Sequence, residues 1–448
     1  MYNKAVRWWL TIILVFLPFQ FYLTMFIERF WGTGASAFFN RLEELTIVIF
    51  LPLAVIELIK NKDNINELYL LILLPIIFIC ISGLLSGIVN GNKMIVSLHG
   101  IFAYIKYFLV IFIYAAFFSK FSQFARVFYI LLAIAVIIGI IASVQEIWAL
   151  SNRYLLHIRP EDILYLNLTQ ILKDTHLYTD DLWRLGLFRA TSLMINSNFM
   201  GLYILLMLVI YINVVDKVDF KILCPLVLGI VSSVSRVVYI SFILIGCIQL
   251  LRKKSLWIAI IPVVLFLLYL SPLPNSLMVG THVQEVDGFS RLHGEESGNW
   301  DAYRAYTRAK SIEIWKDYAL LGIGPGMFGG AISLKYGSHV YEEYNFDKMS
   351  LIRQWQTLDQ FWPQTLAELG ISGFIFLAVF FISLIAALLL LIMKHKTSCY
   401  KEKGLYLGLT IAVSIILIYT LGYDLGIPPI IFTYCAFVGM GLGSDKTV

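Results

Sequence analysis

Residues 364–392 read QTLAELGISGFIFLAVFFISLIAALLLLI, with Glu368 as the single charged side chain of the run. A helix needs roughly 20 apolar residues to cross the hydrocarbon core of a bilayer. This stretch is therefore predicted to be a membrane-spanning helix. Similar apolar runs recur along the whole chain, so the same interpretation extends outward from it.

The composition of all 448 residues agrees with a membrane protein. Apolar residues make up 59% and charged residues 14%, and the mean hydropathy is +0.81, whereas soluble domains have roughly 45–50% apolar and about 25% charged residues. These values exclude a cytosolic enzyme, a disordered scaffold and a secreted module. The net charge of +5 mainly reports orientation in a membrane protein, and no nucleic-acid partner is expected. The five cysteines form no disulfide or zinc pattern.

Hydropathy predicts an all-α polytopic protein with about twelve spans. The predicted spans are 8–27, 45–59, 68–89, 95–118, 127–149, 192–214, 222–234, 237–251, 256–271, 364–392, 405–422 and 427–443.

Lysine and arginine clusters lie at every second connection, which places both termini in the cytoplasm. This alternation requires the chain to reverse direction near 232–236. Residues 1–271 then hold spans 1–9, with an extracytoplasmic loop at about 150–190. Residues 272–363 form a large extracytoplasmic loop between spans 9 and 10, and residues 364–448 hold spans 10–12. A loop of that length is usually functional.

The segment VSSVSRVVY at 231–239 places Arg236 at the predicted outer boundary of the membrane. A buried arginine costs about 2.5–3.5 kcal/mol on insertion scales, so it normally has a partner or a function. Two interpretations remain open: the side chain reaches the lipid headgroups, or its planar guanidinium binds a phosphate.

Arg304 and Arg308 are four residues apart, so they share one face of a predicted helix in the large loop. Such a pair is either a solvated surface or a site for an anion such as pyrophosphate. The following run LLGIGPGMFGG at 320–330 lacks the strand–turn–helix setting of a dinucleotide site. It is predicted to end the helix over 303–318 and to turn the chain through positive φ.

Asp359 lies at the outer mouth of span 10, where it is either a helix cap or a reactive acid. Glu368 is nine residues further on, about 180° around a continuous helix, so the two carboxylates are not expected to form a pair. Arg189 and Asn198 lie at the start of span 6. Their side chains either form hydrogen bonds with backbone groups of a non-helical segment or line the route of a sugar or phosphate group. His99 and Lys106, seven residues apart in span 4, are expected to be structural.

Taken in order, these motifs resemble the O-antigen ligase and O-antigen polymerase family of bacterial membrane glycosyltransferases. The resemblance covers about 190–390 and rests on RATS…NxxG at 189–201, the Ser235–Arg236 pair, the glycine-rich run, and the acid followed by ELGxxG at 359–373. It implies a helical bundle of about twelve spans with a large periplasmic loop. It also implies transfer of glycan from undecaprenyl pyrophosphate, without nucleotide sugar, cofactor or metal.

The resemblance further implies that Arg236 and Arg304 hold the donor pyrophosphate and that Glu368 is structural. Asp359 and Gln360 occupy the positions where the ligases have a histidine and an asparagine, and Asp359 can act as the base if desolvation raises its pKa. This departure favours a polymerase, with Arg189, Asn198, Arg308 and Gln360 as further substrate-binding candidates. The expected location is the bacterial cytoplasmic membrane with an extracytoplasmic active site. A lipid-linked glycan acceptor and any regulator of chain length are the other expected partners.

Two alternatives remain open from the sequence. One is a ligase that transfers a finished chain to a lipid A-core or to a protein. The other is a lipid-linked glycan transporter, which predicts charge buried along the central spans and little dependence on the outer loop.

Overall fold

The computed structural model describes residues 2–60, 67–158, 163, 183–184, 187–194, 196–251, 300–344, 360–394, 400–421, 425 and 427–444. Most of these residues are helical. The helices are α1 (Tyr2–Phe16), α2 (Gln20–Trp31), α3 (Thr33–Asn40), α4 (Leu42–Lys60), α5 (Glu67–Val89), α6 (Met94–Phe117), α7 (Phe121–Leu150), α8 (Ser197–Val214), α9 (Phe220–Ser232), α10 (Arg236–Leu251), α11 (Trp300–Asp317), α12 (Ala331–Tyr336), α13 (Val340–Glu343), α14 (Phe361–Lys394), α15 (Tyr400–Thr420) and α16 (Pro428–Ser444).

Three short elements join this helical framework. A 3₁₀ turn at Leu17–Phe19 links α1 to α2, and a π-helical turn at Ser151–Leu155 extends α7. Strands β1 (Trp183–Arg184) and β2 (Leu187–Phe188) form an antiparallel hairpin.

Apolar helices dominate the described residues. Within the described ranges, seven continuous helical segments are long and apolar enough to cross a membrane: Tyr2–Trp31, Glu67–Val89, Met94–Phe117, Phe121–Leu155, Ser197–Val214, Phe361–Lys394 and Lys401–Thr420. The shorter helices α9, α10 and α16 are also apolar. The prediction of a helical multi-pass membrane protein is therefore confirmed.

The predicted spans 1–8 and 10–12 all fall on helices of the structure. The predicted span 256–271 lies outside the described residues, and so does much of both predicted extracytoplasmic loops. The count of twelve spans and the extent of the large loop remain predictions.

Hydrogen bonds join helix ends that the charge pattern assigns to the same side of the membrane. On the lysine-rich side, Arg7 Nη1 donates to the Phe117 carbonyl at 3.4 Å. On the opposite side, here called the outer side, Trp362 Nε1 donates to Thr420 Oγ1 at 3.0 Å. The contacts thus agree with the alternating orientation inferred from the charges.

The stretch 222–251 is divided into two helices near the reversal that the charge alternation required. Helix α9 ends at Ser232 and α10 begins at Arg236, and Val234 between them has a φ of 43°. The Ser233 hydroxyl donates to the Ile230 carbonyl at 2.7 Å, which satisfies a carbonyl at the end of α9. The predicted break near 232–236 is confirmed.

Close packing of α6 fixes the framework around the candidate site. Gly439 and Gly443 of α16 lie directly against the backbone of α6, as small residues do at helix crossings in membranes. On another face of α6, Phe108 stacks on Phe380 of α14 with ring centroids 4.0 Å apart. This stacking connects the middle of α6 to the middle of α14.

Candidate functional site

The glycine-rich segment 320–330 docks into a break in α14. Gly370 has a φ of 62° and a ψ of −166°, which interrupts the helix. The N–H of Ile323 donates to the Ala367 carbonyl at 2.9 Å, and the N–H of Ile371 donates to the Ala319 carbonyl at 3.0 Å. Backbone groups released by the break are thus paired with the glycine-rich segment.

The glycine-rich segment turns as the sequence predicted. Helix α11 ends at Asp317. Gly322, Gly324, Gly326 and Gly329 all have positive φ, a conformation that side chains disfavour. The prediction that this run ends the preceding helix with a tight turn is confirmed.

Residues between α5 and α6 hold the same segment from its other side. The side-chain amide of Asn90 donates to the Gly322 carbonyl at 2.8 Å, and the Ser86 hydroxyl donates to the same oxygen at 2.9 Å. The Asn92 amide donates to the Ile323 carbonyl at 2.7 Å. The segment is therefore anchored both to the α5–α6 turn and to α14.

Glu368 stabilises the second half of the segment. Its carboxylate is buried and accepts the Phe328 N–H at 2.7 Å and the Tyr104 hydroxyl at 2.7 Å. The N–H of Gly326 also binds it. The carboxylate is directed at the backbone of the segment, in agreement with the structural role expected for Glu368.

A cavity of about 490 Å³ opens beside the glycine-rich segment. Small-molecule sites typically measure roughly 300–1,000 Å³. The walls come from the start of α4, the outer half of α6, the glycine-rich segment with α12, and the start of α14. Its polar and charged lining side chains are Arg41, Glu44, His99, Tyr104, Lys106, Tyr107, Lys335, Gln364 and Glu368. This lining can bind a ligand that both donates and accepts hydrogen bonds.

Lys106 and Glu44 form an ion pair in this cavity. Lys106 Nζ lies 2.6 Å from Glu44 Oε1, and the two side chains are 15% and 31% exposed. An ammonium group has three donors, and this short bond uses one of them. Lys106 therefore keeps the capacity to bind a second group.

Arg189 and Asn198 form a second polar site on the outer side. Arg189 Nη2 donates to Asn198 Oδ1 at 3.0 Å, and both residues are buried. The N–H of Ala190 donates to the Ser232 carbonyl at 2.9 Å. The segment before α8 is thus joined to the end of α9, next to the break where the exposed Arg236 begins α10. The structure therefore brings Arg189, Asn198 and Arg236 into one region.

A smaller cavity of about 220 Å³ lies between this region and the larger cavity. Met194 and Phe199 line it, and so does Glu43, while the next residue, Glu44, lines the larger cavity. Gln20 Nε2 donates to Glu43 Oε2 at 2.7 Å. The start of α4 therefore separates the two cavities, and both lie on the outer side of the chain.

Residues 222–378 match the family model for O-antigen ligase. This match confirms the family resemblance drawn from the motifs. It spans the α9–α10 break, α11, the glycine-rich segment and the break in α14, so it includes two of the four walls of the larger cavity. Members of the O-antigen ligase family are glycosyltransferase-like enzymes. No curated protein matches the chain.

The structure describes only some of the other predicted site residues in the region that matches the O-antigen ligase model. Arg308 is exposed on α11, and Gln360 is buried directly before Phe361, which lines the larger cavity. Arg304 lies in α11, but its side chain is outside the described residues. Asp359 also lies outside them. The roles predicted for these residues stay predictions.

Four charged residues of the larger cavity were not among the predicted site residues: Arg41, Glu44, Lys106 and Lys335. The sequence did contain a signal for Lys106: His99 and Lys106 are polar residues seven positions apart on one face of an apolar helix. In the structure both line the cavity. Arg41 and Glu44 precede the second span without any distinguishing pattern. Except for Glu368 and Gln364, the polar lining comes from outside the characteristic motifs.

Proposed function

We propose that this protein is a polysaccharide polymerase of the bacterial cytoplasmic membrane. It transfers glycan from undecaprenyl pyrophosphate to a hydroxyl of another lipid-linked repeat unit, on the extracytoplasmic side. The observation that carries the proposal is the larger cavity, which opens at the outer helix ends and is walled by the O-antigen ligase-family region and by cationic side chains. Donor and acceptor are both membrane-anchored, and a cavity beside the outer helix ends can hold part of the glycan that they exchange.

The proposed reaction forms a bond between an acceptor oxygen and the sugar C1, and it breaks the bond between C1 and the diphosphate oxygen. Asp359 takes the proton of the attacking hydroxyl, and undecaprenyl pyrophosphate leaves with the bonding electrons. Attack from the opposite face inverts the anomeric centre. Arg236 and Arg304 stabilise the charge on the departing diphosphate, because preorganised cations lower the energy of a transition state in which negative charge develops.

Further residues bind substrate in this proposal. Arg189 and Asn198 bind the donor headgroup; a hydrogen bond joins them, and their segment is bonded to the end of α9, close to the start of α10 at Arg236. Arg308 on α11 and Gln360 directly before α14 bind the remainder of the substrates. Donor and acceptor lipids enter from the bilayer between the helices.

The distribution of buried charge supports an enzyme over a transporter. Among the described residues, the buried charged side chains are Glu43 near the start of α4, Arg189 in the segment before α8, and Glu368 in the first third of α14. A lipid-linked glycan transporter would need polar groups along the central part of the spans to carry a headgroup across. The O-antigen ligase-type alternative shares the donor chemistry and differs in its acceptor.

Purified protein supplied with a single lipid-linked repeat unit is expected to produce a ladder of lipid-linked oligomers. The reason is that the repeat unit acts as both donor and acceptor for a polymerase. Products are resolved by length on a gel or by mass spectrometry. A ligase would give no ladder without an added lipid A-core or protein acceptor. Movement of the unmodified substrate between leaflets, without oligomers, would instead identify a transporter.

A further inference from the structure

The larger cavity offers hydrogen-bond acceptors as well as cations. Its cations are Arg41, Lys106 and Lys335, and its acceptors include the Glu44 carboxylate and the Gln364 amide oxygen. A diphosphate offers hydrogen-bond acceptors almost exclusively at neutral pH, so it would leave the acceptors of this lining without donors. A sugar hydroxyl both donates and accepts. The lining therefore suits a carbohydrate better than an inorganic phosphate group.

Both carboxylates of the lining already have partners within the protein. Glu44 is paired with Lys106 at 2.6 Å. Glu368 is directed into the glycine-rich segment, where the Phe328 N–H and the Tyr104 hydroxyl bind it at 2.7 Å. The positive charge that remains for a ligand comes from Arg41 and Lys335, which are exposed at the cavity.

Arg41 and Lys335 belong to different walls, since one precedes α4 and the other lies in α12. Tyr107 and Phe361 also line the cavity, and aromatic rings pack well against the C–H faces of a sugar ring. Exposed cations together with aromatic rings suit a sugar ring that carries a negative substituent.

We propose that this cavity is a subsite for a sugar residue bearing a carboxylate, such as a uronic acid of the glycan repeat unit. Arg41 and Lys335 bind the carboxylate, and Lys106, Glu44 and Gln364 bind the ring hydroxyls. The inference rests on the proposed function, because it assigns a substrate class to that enzyme. It requires the glycan to extend from the reaction centre towards α6 and α12.

Binding of two matched disaccharides tests the subsite. One contains glucuronic acid, and the other has glucose in its place, so that they differ only in the carboxylate. Titration into the purified full-length protein is expected to show about tenfold tighter binding of the acidic disaccharide, the usual effect of a charge-assisted hydrogen bond. The double variant Arg41→Gln with Lys335→Gln is expected to bind both disaccharides equally.

Lys93→Gln is the matched control, because Lys93 is an exposed lysine at the start of α6 that does not line the cavity. It is expected to keep the tenfold preference. Equal binding of the two disaccharides by the unaltered protein would overturn the proposal. So would binding of inorganic pyrophosphate, but of neither disaccharide, with loss of that binding in the double variant.

Turnover measured on the same preparations separates this inference from the proposed function. A ladder of oligomers without any preference for the acidic disaccharide rejects the subsite and leaves the polymerase. A preference that disappears in the double variant, with no transfer of any lipid-linked glycan, retains the subsite and rejects the polymerase.

Discussion

Replacement of Gly370 by alanine is expected to destabilise the protein by about 3–5 kcal/mol. A non-glycine residue at φ 62° and ψ −166° costs on the order of 1–3 kcal/mol in backbone strain. An added Cβ would also lie 2.6 Å from the Leu320 carbonyl oxygen, and such overpacking costs roughly another 1–3 kcal/mol. The thermal unfolding midpoint in detergent and the yield of monodisperse protein measure the effect.

Two further variants separate the sources of this loss. Gly322→Ala is expected to be similarly harmful, since its Cβ would lie 2.5 Å from the Glu368 carbonyl oxygen at a φ of 70°. Gly337→Ala is the control, because Gly337 has a φ of 74° with open space around its Cβ position. It is expected to lose only about 1–3 kcal/mol, the cost of a strained backbone conformation without overpacking. Equal stability losses in all three variants would contradict the proposed docking of the glycine-rich segment into α14.

This docking illustrates which parts of the fold could be predicted from the sequence. Apolar runs predict helices because burial in lipid requires every backbone group to be paired within the helix. The glycines after Asp317 predict where α11 ends, because that signal is local. The alternation of lysine and arginine clusters predicts the reversal near 232–236. The break at Gly370 has no such local signal, since one glycine in a long apolar run is tolerated in a membrane helix.

The candidate site was predictable only in part for the same reason. Arg189 and Asn198 are nine residues apart, and their hydrogen bond joins groups that the sequence already places together. Lys106 and Glu44 are 62 residues apart on different helices, so their pairing depends on how α4 packs against α6. The cavity therefore emerges from tertiary packing, whereas its helices follow from hydropathy.

Replacement of Arg236 by alanine is expected to lower kcat by roughly 10²–10³, the usual effect of removing one group that stabilises developing negative charge. Arg236→Lys should retain part of the activity, because it keeps the charge but loses the bidentate fork. Polymer formation from lipid-linked repeat units measures the activity of both variants, and Arg304→Ala is expected to behave like Arg236→Ala.

Arg153→Ala is the control, since Arg153 lies in the π-helical turn after α7, also on the predicted outer side. Full polymer formation by folded Arg236→Ala protein would reject the diphosphate role.

The substitution Asp359→Asn is expected to reduce turnover by roughly 10²–10⁴, the contribution of a general base, while donor binding stays nearly unchanged. A helix cap is the competing role for Asp359. Helix α14 begins at Phe361, two residues after Asp359. The amide of asparagine preserves capping but cannot accept the proton, so the variant separates the two roles directly. Turnover of Asp359→Asn equal to that of the unaltered protein would leave the attacking hydroxyl without its proposed base.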